Sequence, residues 1–168
     1  MTRITAEAVT DRPAARFRRG RQLVLMRREV CMSQRANERY VAWVIGLAGL
    51  FHAGSGIWAF AAPRSFYDTV ATFPPFNGHF LADIGAFLIG IGVVLLASLV
   101  WSDARFVVLL GGTVAAVFHW MSHVRDHDLG GAGSDPWLLG AVAVLLLVGL
   151  VMRWSSRHGA AAQQEVAA

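Results

Sequence analysis

Four stretches of the chain are almost free of charge for about twenty residues each, the length of a membrane-crossing helix. They run over 40–62, 79–101, 104–124 and 137–154. The breaks between them have local causes. Pro63, Pro74, Pro75 and Gly78 interrupt the first loop, Ser102-Asp103 makes a very short second connection, and Gly130, Gly131, Gly133 and Pro136 open the third. Short connections between long helices predict an all-α, integral membrane four-helix up-and-down bundle. Segment 66–78 is aromatic and too polar to span, so it is expected to lie flat at the membrane surface and cap the bundle.

Composition agrees with this pattern and narrows it. Of 168 residues, 55% are hydrophobic and only 15% charged. A water-soluble domain carries about 25% charged residues, so the class of ordinary soluble enzymes is excluded. A single cysteine, Cys31, excludes an intramolecular disulfide framework and a cysteine-cluster metal site. There is no Walker loop, no GxGxxG, no G-x-S-x-G and no H-E-x-x-H.

The net charge of +4 is unevenly placed. All fifteen basic residues are arginine, and ten of them lie within residues 1–39 beside four acids, a local +6. The chain therefore divides into an arginine-rich tail over 1–39, a membrane domain over 40–154 and a short tail over 155–168. Phe17 is the only aromatic residue of the first tail. Without interleaved aromatics, that tail reads as a cytoplasmic segment retained by its charge, not as a nucleic-acid binder. Met1, Met26 and Met32 are each candidate starts, and no apolar run of a cleaved signal precedes position 40.

With both termini inside, the cytoplasmic side holds thirteen arginines and the outer loops hold two, Arg64 and Arg125. The positive-inside rule then makes it a multi-pass membrane protein with cytoplasmic termini. Trp43, Trp101, Trp154 and Trp137 fall at the predicted interfaces. Small residues mark expected helix contacts: Gly46, Gly49, Ala53 and Gly56 in the first span, Gly85, Gly90 and Gly92 in the second.

Ionisable groups inside a membrane are expensive and point to function. His52, His79, Asp83, His119 and His123 all fall in the outer half, and they come from three spans. On the third span His119, Ser122, His123 and Asp126 share one stripe, with His127 rotated away. One cluster opening outward is the economical expectation. His52, His119 and His123 are its expected direct ligands, and His79 and Asp83 complete a candidate metal set. The chemistry suits a transition metal, a haem held between two histidines, or a quinone head group. The alternative is a polar network that holds helices together in an accessory or assembly subunit. A membrane redox partner or a second copy of the chain are the expected protein partners, beside the lipid bilayer.

The run from Gly49 through His52, Gly56, Pro63 and Phe66-Tyr67, followed by His79-Phe-Leu-Ala-Asp83-Ile-Gly85, closes one span and opens the next. In these residues the chain resembles small four-helix bacterial membrane proteins of the DoxX-like type, uncharacterised actinobacterial ones above all. The resemblance covers about 40–154. It implies the same four-helix fold and a redox or quinone-linked role.

Overall fold

The computed structural model describes residues 12–167. Helix α1 runs over Arg12–Ala61, α2 over Pro63–Thr69, α3 over Gly78–Val100, α4 over Arg105–Arg125 and α5 over Asp135–Ala167. A single 3-10 turn at Ser102–Ala104 joins α3 to α4. No strand occurs among the described residues. Four helical stretches are long and apolar enough to cross a membrane: Val24–Ala61, Gly78–Val100, Ser102–Arg125 and Asp135–Arg157. The chain is an all-α bundle of a multi-pass membrane protein.

Two compact units are distinguished, Met1–Ala36 and Asn37–Ala168. The first is helical from Arg12 onward. The second unit holds the bundle.

Local chemistry sets the helix ends. Pro63 lacks a backbone N–H and sits at the first turn of α2, where a helix loses nothing by it. The Asn77 side chain caps α3 by accepting from the Phe80 N–H at 3.1 Å. The α4–α5 loop turns through Gly130 and Gly131, at φ +150° and +81°. A side chain at Gly130 would also meet the Thr72 carbonyl at 2.6 Å, so the two loops of this end touch through backbone. Segment 66–78 is not uniformly flat. Its first residues belong to α2, which buries Phe66 against Ala59 and Leu81.

The bundle packs in two different ways along its length. Towards the ends of α1 and α3 that carry Tyr40 and Val100, all four long helices give large side chains to one core. Val41, Val44 and Ile45 come from α1, Leu95 from α3, Leu109 from α4 and Leu146 from α5. Towards the other end α1 and α3 approach backbone to backbone. A Cβ on Gly92 would lie 2.5 Å from the Ala53 nitrogen, and one on Gly85 2.7 Å from the Gly56 carbonyl. The expected glycine contacts are therefore real at Gly49, Gly56, Gly85 and Gly92. Gly46 merely touches Leu99 at 3.8 Å, and Gly90 faces open space.

Candidate functional site

The histidines gather at the glycine-packed end. His119 and His123 stand one turn apart on α4, with ring centroids 4.9 Å apart and nearly edge to face. Position i, i+4 on a helix puts them on one side, one above the other. Asp135 at the start of α5 faces His123, so the site joins α4 to α5.

Each side chain has a defined hold. His52 Nδ1 lies 2.7 Å from the Ala48 carbonyl oxygen. A carbonyl only accepts, so Nδ1 carries the proton in this bond. His123 Nδ1 lies 3.8 Å from Asp135 Oδ2, in a pair whose side chains are 18% and 21% exposed. The same Asp135 oxygen accepts from the Ala132 backbone N–H at 2.8 Å, which fixes the carboxylate at the mouth of the loop. Phe73, from the α2–α3 loop, sets its ring edge-on against His123 at 5.4 Å. His119, in contrast, is exposed, as are its neighbours Phe118 and Met121. A membrane helix presents such a flank to acyl chains.

The remaining expected residues lie elsewhere. His79 and Asp83 pair with each other at 3.5 Å on α3, with side chains 89% and 58% exposed. Asp83 does not pair with a histidine of α4; that place is taken by Asp135, which the sequence pattern had assigned to an outer loop. Asp126 pairs with Arg125 at 2.7 Å, and His127 with Asp128 at 3.0 Å, both at the exposed rim. Among the described residues, no three His, Cys, Asp or Glu side chains come together as a group able to hold a metal ion. The expected five-residue set of His52, His79, Asp83, His119 and His123 is therefore not brought together as one metal centre. The physical reason is rotational: His79 and Asp83 project from the exposed side of α3.

At the other end stands a polar group that the hydropathy pattern hid. Glu38 on α1 accepts from Arg105 on α4 at 3.0 Å and, through its other oxygen, from Arg153 on α5. Arg105 also donates to the Ser98 and Leu99 carbonyls at 3.2 and 3.1 Å, satisfying the last turn of α3. Arg153 reaches the Ser102 carbonyl at 3.1 Å. The arginines are only 14% and 13% exposed. A signal for this clamp was present. Glu38 shares a helical stripe with Val41 and Ile45, and Arg153 shares one with Leu146 and Gly149, all buried. A charge on a core stripe needs a partner.

Comparison with known proteins adds no relative: no protein-family profile, curated protein or solved structure matches the chain.

Proposed function

We propose that this is a bacterial inner-membrane protein of the DoxX-like kind, with cytoplasmic termini, whose histidine end binds the head group of a lipid-soluble quinone. The observation that carries the reading is the unequal pair on α4. His123 is held by Asp135 and covered by Phe73, while His119 is open to the acyl flank. A ligand dissolved in the bilayer reaches His119 sideways. Imidazole N–H groups donate to its carbonyl oxygens, and histidine is the side chain best suited to exchange protons near neutral pH. The Asp135 carboxylate, 3.8 Å from His123 Nδ1, places an acceptor beside that ring. This group fits a quinone better than a metal ion, which asks for three converging donors.

The test is quenching of tryptophan fluorescence in the detergent-purified protein by a short-chain benzoquinone and a short-chain naphthoquinone. Saturable quenching is expected, with affinity reduced at least about tenfold in His119→Ala and His123→Ala. Quenching that both variants retain unchanged overturns the reading, as does a Soret band or a stoichiometric transition metal in the same preparation.

One contact favours the accessory-subunit reading: Asp135, which accepts from the Ala132 N–H and faces His123 at 3.8 Å, also sets the start of α5 against α4. Under that reading the variants lower stability in detergent and no quinone binds.

A further inference from the structure

Met1–Ala36 is a unit of its own, and the proposed quinone site uses none of it. It holds nine arginines against three acids. Where its side chains are described, the arginines have no ionic partner: Arg21, Arg28 and Arg35 are exposed and make no ion pair among the described residues. Arg105 and Arg153 are their opposite, each engaged by a carboxylate and by backbone carbonyls. Between the free arginines Val24, Leu25, Met26, Val30 and Met32 are all exposed.

These apolar residues do not form one stripe. Val30 and Met32 are about 200° apart around the helix, and Arg21, Arg28 and Arg35, spaced by seven, form one row beside Met32. A helix meant for a protein groove gathers its apolar side chains on one face. A helix meant for a nucleic acid surrounds its cations with hydrogen-bonding and stacking groups. Here the guanidinium row is flanked by Val24, Leu25 and Met32, with Met26 and Val30 on the opposite side of the helix. That mixture matches the headgroup layer of an anionic bilayer. Guanidinium groups reach phosphates there, while aliphatic side chains and arginine stems lie among acyl carbons.

We propose that Met1–Ala36 binds an anionic phospholipid surface through Arg21, Arg28 and Arg35, with the exposed aliphatic residues between them entering the headgroup layer.

Cys31 is exposed and is the single cysteine of the chain, so a nitroxide attached there reports on this unit alone. The full chain is placed in nanodiscs of phosphatidylcholine, or of phosphatidylcholine and phosphatidylglycerol in equal parts. Collision of the nitroxide with an uncharged, water-soluble nickel chelate is then measured. The expected result is a collision rate about threefold lower in the anionic discs, largely restored by molar salt. Arg21→Gln, Arg28→Gln and Arg35→Gln together should remove most of the protection. The same three positions changed to lysine should keep it. Equal collision rates in the two discs overturn the proposal, and so does protection that the triple glutamine variant keeps in full. Protection that appears only with added RNA, or spin–spin broadening independent of lipid charge, assigns the unit to nucleic acid or to a second copy and overturns it equally.

Discussion

The two ends of the bundle solve the same problem in opposite ways. Both must keep polar side chains beside apolar helices. At the arginine end, Glu38 accepts from both Arg105 and Arg153, whose guanidinium groups also reach nearby carbonyls, directly beside the aliphatic core of Val41, Ile45, Leu95, Leu109 and Leu146, while the buried Arg153 Nε is left without a hydrogen-bond partner. At the histidine end the helices meet through glycine, and the polar groups are left partly unfilled. His52 uses only Nδ1 in a hydrogen bond among the described residues, and His119 is open on its flank. A charge-paired cluster beside a dense core resists change. A loosely partnered one beside close-packed backbones is held in place and still has bonds to offer. The lesson is that charge alone does not mark function in this chain. The most strongly charged contact is the scaffold, and the less charged one carries the candidate chemistry.

The comparison breaks first at Glu38. Glu38→Ala leaves two largely buried guanidinium groups without their shared carboxylate and should cost about 3 kcal/mol or more of stability. Unfolding in detergent, followed by circular dichroism, measures this. A loss below about 1 kcal/mol would mean that the clamp is only a surface feature. Next comes Gly92→Ala, whose Cβ would lie 2.5 Å from the Ala53 nitrogen and must force α1 and α3 apart. A cost of roughly 2 kcal/mol is expected. Gly90→Ala, in open space on the same helix, should be neutral or slightly stabilising. Equal effects at the two glycines would end the claim that backbone contact holds the histidine half.

His119→Ala sharpens the contrast from the other side. Its ring is exposed, so stability should change by no more than about 0.5 kcal/mol, while quinone affinity falls at least about tenfold. Asp135→Asn keeps the size of the side chain and removes the charge facing His123. Affinity is expected to fall by a smaller factor, about threefold, with a changed pH dependence of binding. The smallest effect concerns acid. The Arg125 guanidinium, by its hydrogen bond, holds the Asp126 carboxyl below the usual carboxylate range. A depressed carboxyl stabilises the fold above its unfolded-state value and loses that contribution as pH falls through its lowered folded value. Stability plotted against pH should therefore lose a low-pH step in Asp126→Asn.

The sequence by itself determined the number of spans, their approximate limits and the all-α class, because those follow from runs of apolar residues and from prolines and glycines at the breaks. It also marked His52, His79, Asp83, His119 and His123 as ionisable residues within apolar runs. Partnership was another matter. Whether Asp83 or Asp135 stands beside His123 depends on how α3 and α5 are rotated against α4, and hydropathy carries no rotation. For the same reason Glu38, Arg105 and Arg153, which lie 67 and 115 positions apart along the chain, looked like ordinary interfacial charges. Only tertiary packing decided that they meet. A pair contact depends on both helices at once, and a pattern along one strand of sequence describes a single helix at a time.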